Sequence, residues 1–136
     1  MIKIKSNKYW IFLGIYIIFI FLLSSIPPKS IPDMKTELPI DKAVHFIEYG
    51  ILGFLLFNSL RSFDRLRIWQ IIIIVISFGA ILGALDESYQ RLTKRTSSIY
   101  DWFADVSGVT VSVICIVLYL NSKVFKKIRF KIEKPS

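Results

Sequence analysis

Four apolar stretches, Trp10–Ile26, Ala43–Leu60, Ile68–Leu85 and Trp102–Leu120, make up more than half of this 136-residue chain. They hold 17, 18, 18 and 19 residues, close to the roughly 17–25 that a helix needs to cross the ~30 Å hydrocarbon core of a bilayer. In lipid every backbone N–H and C=O must be paired within the protein, which leaves helices or closed barrels. Strand-like alternation is absent from all four blocks, so the expected fold is all-α. The chain reads as a polytopic membrane protein, a four-helix transmembrane bundle, with no separate soluble domain, internal repeat or low-complexity tract.

The first block follows Lys3, Lys5 and Lys8 and ends at Pro27-Pro28, where the second proline cannot continue a helix. It is long for the apolar region of a signal peptide, and Ser24-Ser25 is a weak substitute for a cleavage site, so it reads as an anchor. The one cysteine, Cys115, lies inside the fourth block, which excludes an internal disulfide and any Cys/His zinc or redox motif.

The net charge of +8 would suggest nucleic acid in a soluble protein. Its distribution points elsewhere. Twelve of the eighteen basic residues lie in the N-terminal stretch, in Arg61–Arg67 and in the basic tail 121–136; the other six are Lys29, Lys35, Lys42, Arg91, Lys94 and Arg95. The positive-inside rule then puts both termini in the cytoplasm and the other loops outside. The tail suits the anionic surface of a membrane, and no nucleic-acid partner is expected.

Six of the ten acidic residues, Asp41, Glu48, Asp86, Glu87, Asp101 and Asp105, cluster with the only histidine, His45, at the outward ends of blocks two, three and four. At 100° per residue Asp41, His45 and Glu48 share one helix arc. Gly79, Gly83, Asp86, Glu87 and Gln90 share a second, and Asp101, Asp105, Gly108 and Ser112 a third. Small residues at such spacing let helix backbones approach closely in membranes, so Gly79, Gly83 and Gly108 are the expected packing positions. Each polar residue also has a plainer reading. Asp41 and Asp101 suit helix N-caps, His45 an interfacial hydrogen bond, Glu87 and Gln90 a solvated helix end, and Arg95 a surface charge. Glu48 and Asp105 sit inside their helices, where capping does not account for them.

The pattern Asp41-Lys42-x-x-His45-Phe46-x-x-Tyr49, then Asp86-Glu87-x-x-Gln90, then Arg95-x-x-Ser98-x-x-Asp101-x-x-x-Asp105-x-x-Gly108, resembles the VanZ-like family of small bacterial membrane proteins. The resemblance implies a single VanZ-like domain over residues 1–136 in the bacterial cytoplasmic membrane, and the namesake implies lowered susceptibility to the glycopeptide teicoplanin. The family often has Asn where this chain has Asp105, which adds a negative charge here.

Three functions stay open. The first is a non-enzymatic pocket that faces outward and recognises an envelope lipid, a lipid-linked cell-wall precursor or a glycopeptide. Asp41, His45, Glu48, Tyr49, Asp86, Glu87, Gln90, Arg95, Ser98, Asp101 and Asp105 would line it, with Arg95 and Lys94 on phosphate or carboxylate. The second is a membrane-embedded enzyme in which His45, Glu48 and Glu87 supply acid/base chemistry. No compact catalytic motif supports it, and no catalytic residue, metal ligand or cofactor is assigned, although one imidazole among carboxylates would suit Mg, Mn or Ca. The third is a structural or partner-binding subunit whose polar stripes lock helices together.

Overall fold

The computed structural model describes residues 7–26, 40–63, 65–93 and 97–133, with side chains as far as Lys123. Among the described residues there are four helices and no strand: α1 (Asn7–Ser24), α2 (Ile40–Leu60), α3 (Ile68–Leu92) and α4 (Ile99–Glu133). Three of these, α2, α3 and α4, are long and apolar enough to cross a membrane, whereas the apolar part of α1, Lys8–Ser24, is shorter.

Exposure runs opposite to that of a water-soluble bundle. Large apolar side chains cover the outside at helical spacing: Ile11, Ile15, Ile18 and Leu22 on α1, and Val44, Ile47, Ile51 and Phe54 on α2. Asp86, Glu87, Asp101, Asp105 and His45 are buried instead. Such a surface would aggregate in water and is solvated by lipid tails. The apolar core, including Leu52, Leu56, Phe57, Ile71, Val75, Val109 and Val113, fills the bundle away from the buried charges.

The helices alternate in direction, because contacts join the C-terminal ends of α1 and α3 to the N-terminal ends of α2 and α4. The most extensive packing is between α2 and α4. There Gly50 and Gly108 face each other, and a Cβ on Gly108 would overlap the Phe46 carbonyl. At Gly79 a Cβ would come within 2.7 Å of Val109 Cγ2. Gly50 and Gly53, on the α2 side of this contact, lie outside the small-residue arcs read from sequence.

Helix α1 is more than the anchor expected from its uniform composition. Leu13, Ile20 and Ser24 form a buried stripe, and the Tyr16 hydroxyl donates to the Glu48 carbonyl at 3.1 Å. Edge-on ring contacts join Tyr9 to Phe54 and Trp10 to Phe63.

Two other helices outrun their apolar blocks. α3 continues past Leu85 to Leu92, and α4 starts at Ile99 rather than near Asp101 and continues into the basic tail as far as Glu133. A hydrogen bond opens the longer α4. Ser98 Oγ accepts from the Tyr100 N–H at 3.2 Å and so caps α4. At ~1.5 Å per residue, the 35 residues of α4 reach well beyond one hydrocarbon thickness.

Replacing Gly108 by Leu should force α2 and α4 apart and cost about 1–3 kcal/mol, the usual scale of overpacking. Gly14, where an added Cβ would meet nothing within 4 Å, should accept Ala with little change. Thermal unfolding of both variants in one detergent checks the contrast.

Candidate functional site

Backbone proximity of α2 and α4 brings His45 against Asp105, one turn before Gly108. The imidazole Nδ1 and Asp105 Oδ1 are 2.9 Å apart, with both side chains buried. Glu87 enters from α3, one turn after Gly83, where a Cβ would meet the Asp105 carboxylate. Single ligating atoms of His45, Glu87 and Asp105 all lie within 4.8 Å of one another. A second trio on the same imidazole, Asp41, His45 and Asp101, meets the same limit.

The Glu87 carboxylate also organises the start of α4. Its Oε2 accepts from the Ser97 hydroxyl at 2.5 Å and from the Ser98 N–H at 3.0 Å. Arg91 Nε donates to the same Ser97 hydroxyl at 3.1 Å. An anion held by the N–H groups that open a helix is favoured by the local dipole, which explains how a buried glutamate is tolerated here. Trp102 Nε1 donates to the Ala80 carbonyl at 2.9 Å and ties the next turn of α4 to α3.

The sequence-derived residues divide into three groups. His45, Glu87, Asp101 and Asp105 meet, with exposed Asp41 at the rim and Lys42 Nζ 3.4 Å from Asp101 Oδ1. Tyr49 is fully buried one turn below His45. Ser98 serves as the α4 cap and as the backbone donor to Glu87, so capping falls to it rather than to Asp101.

Asp86 and Gln90 belong to a different arrangement. Asp86 Oδ1 accepts from Ser24 Oγ at 2.5 Å, and its Oδ2 from Gln90 Nε2 at 2.9 Å. Thr93 Oγ1 donates to the Ser24 carbonyl, and Ser25 and Tyr89 share a hydrogen bond. Both acceptor atoms of Asp86 are therefore occupied, Oδ1 in fastening α1 to α3 and Oδ2 within α3. Neither Gln90 nor Glu87 is a solvated helix end, since both are buried.

Glu48 is half-buried and does not join either trio around His45. Lys94 and Arg95 lie outside the described residues.

An open groove of about 250 Å³ adjoins Glu87, lined by Ala84, Ser88, Arg91, Ser98, Ile99 and Trp102 as well. Arg91, Ser97 and Trp102 were not singled out from sequence. A basic residue one turn after Glu87 was the available signal for Arg91, whereas Ser97 matters only through the fold of the α3–α4 connection.

Replacing Ser24 by Ala should leave the buried Asp86 oxygen without its hydroxyl donor and lower stability by about 1–3 kcal/mol. A thermal-unfolding cycle of Ser24→Ala, Asp86→Asn and the double variant should show strongly non-additive losses.

Neither a curated protein nor a solved structure matches the chain. The family model described as VanZ/LLP1 matches residues 9–120. That span takes in all the residues of the polar cluster, from Asp41 to Asp105, and the bundle that buries them. The chain belongs to the VanZ/LLP1 family.

Proposed function

We propose that this VanZ-like membrane protein crosses the bacterial cytoplasmic membrane four times, with both termini inside, and binds a polar envelope headgroup at its outer end. One observation carries the reading: the buried His45–Glu87–Asp105 group opens, through Glu87, onto a groove that also holds Arg91, two serines and Trp102. A lipid headgroup or a lipid-linked cell-wall precursor presents phosphate, hydroxyl and amide groups beside an apolar chain. Arg91 can donate paired hydrogen bonds to phosphate or carboxylate, Glu87 can accept from hydroxyl or amide, and Trp102 and Ile99 offer apolar contact. Arg91 joins Arg95 and Lys94, to which the sequence reading gave this role, as a candidate anion contact. A glycopeptide offers similar donors and acceptors, and lowered teicoplanin susceptibility is the cellular effect that family membership suggests.

A second reading has its own support. An imidazole held by a carboxylate at 2.9 Å, with another carboxylate close by, is an arrangement suited to proton transfer. On that reading His45 is the acid/base group, Asp105 orients it, and the substrate is again a lipid-linked envelope molecule. The structural alternative draws support from Asp86 and Gln90, which meet Ser24 of α1, and from the His45–Asp105 contact between α2 and α4.

Two measurements test the main proposal. In a Cys115→Ala background, Ser88→Cys should react with an impermeant thiol reagent on intact cells, and Ser122→Cys only after lysis. The reverse pattern would place the groove inside and end the proposal. Purified protein in nanodiscs should bind one of three probes: anionic phospholipid, lipid-linked precursor or teicoplanin. Arg91→Ala and Glu87→Gln should each weaken that binding roughly tenfold, as expected on losing a charge-assisted hydrogen bond. Equal affinity in both variants would refute it. A histidine-based reaction instead predicts that His45→Gln abolishes the cellular phenotype while binding persists.

A further inference from the structure

Beside the groove, the inner trio presents a donor set whose charge is poorly balanced. Glu87 and Asp105 are 5% and 0% exposed, and they share a buried volume with one imidazole. Burying carboxylates together is costly unless protons, basic groups or a cation offset them. Lys42 lies against Asp101 on the outer side of His45, so its charge is spent on the outer trio. Arg91 is exposed and donates to Ser97.

Unfilled acceptors mark where the compensation is missing. Among the described residues, Glu87 Oε1, Asp105 Oδ2 and, in the outer trio, Asp101 Oδ1 are buried with no hydrogen-bond partner. Tyr49, 0% exposed and one turn along α2 from His45, likewise holds its hydroxyl oxygen buried, with no hydrogen-bond partner among the described residues. Buried polar atoms are nearly always satisfied in native proteins, so this group of unfilled atoms calls for a partner that the described side chains do not supply. A water would supply hydrogen bonds but no charge. A divalent cation supplies both charge and a partner for the lone pairs.

From this geometry we infer that His45, Glu87 and Asp105 form a divalent-cation site. Ligands on one such ion, at ~2.0–2.2 Å from it, sit about 3–3.5 Å from each other. His45 Nδ1 and Asp105 Oδ1, 2.9 Å apart, would open slightly to admit an ion, and the remaining separations, all within 4.8 Å, would close toward it. One nitrogen and two carboxylates make a mixed, borderline donor set, which suits Mn2+ or Zn2+ better than the oxygen-only ions Mg2+ and Ca2+. Ser97 and Ser98, bonded to the other Glu87 oxygen, hold that carboxylate in place as outer-shell groups. The outer trio is the poorer candidate, because Asp41 is exposed and Lys42 Nζ already lies 3.4 Å from Asp101 Oδ1.

This goes beyond the headgroup reading and stands without it, since the probe is the metal alone. Chelator-stripped protein in nanodiscs is titrated with Mn2+ and followed by electron paramagnetic resonance, with Zn2+ added as competitor. Thermal unfolding is recorded at each concentration. The expected result is one displaceable Mn2+ per chain, with a melting temperature that climbs as the ion is added. Asp105→Asn keeps size and hydrogen bonding but removes a ligand charge, and should weaken the ion at least tenfold without lowering the metal-free melting temperature. Glu87→Gln is the second variant should Asp105→Asn not yield folded protein. Asp86→Asn, outside the trio, should bind Mn2+ as the unaltered chain does. Absence of Mn2+ binding at about 1 mM, or equal binding in the Asp105 and Glu87 variants, overturns the inference.

Discussion

Where α2 and α4 touch, the separation is set by backbone, with no side chain between Gly108 and the Phe46 carbonyl. Everything polar in the bundle is arranged by that approach. It places His45 opposite Asp105, one helical turn from the contact, and leaves α3 to add Glu87 across the Gly79 and Gly83 face. Two helices held a methyl group further apart would separate the imidazole from its carboxylate. The glycines and the buried charges are thus one feature, the first a geometric condition for the second.

Among the described residues, the buried acidic and histidine side chains are tolerated because they are handled in two ways. Asp86 is saturated: Ser24 and Gln90 occupy its two oxygens, and the result is a bond between α1 and α3. The group around His45 is left partly unsaturated, with buried oxygens on Glu87 and Asp105 that no described side chain serves. A network built only for stability would be expected to resemble the first. Leaving strong acceptors unfilled in a low-dielectric interior makes sense where something else binds.

Much of this was legible in the chain. Long apolar blocks are read directly, because lipid permits few backbone solutions, and the i, i+4 spacing of Asp41 with His45 and of Asp101 with Asp105 puts each pair on a shared helix face. Family resemblance rested on the same residues. Other features were not legible. Ser24, which looked like a poor processing signal, is a buried donor, since its partner lies 62 positions away. Asp86 and Glu87 are neighbours on one helix arc, yet the first turns to α1 and the second to α2 and α4. A 100° step between adjacent residues is enough to send them to different partners, and no spacing rule says which partner stands where. The end of α3 and the start of α4 were also hidden, because hydrogen bonds from polar residues lie beyond the apolar limits there.

By itself, the sequence determined that this chain forms apolar helices, that their charged ends fall together, and that the site would combine one imidazole with several carboxylates. Those follow from local periodicity and from the cost of exposing backbone to hydrocarbon. Only the tertiary structure decided which acids surround His45, that Asp86 and Gln90 belong to the α1 fastening, and that Arg91 and Trp102 line the groove beside Glu87. Such pairings depend on the rotation and depth at which one helix meets another, and these are set by packing of the whole bundle rather than by any single segment.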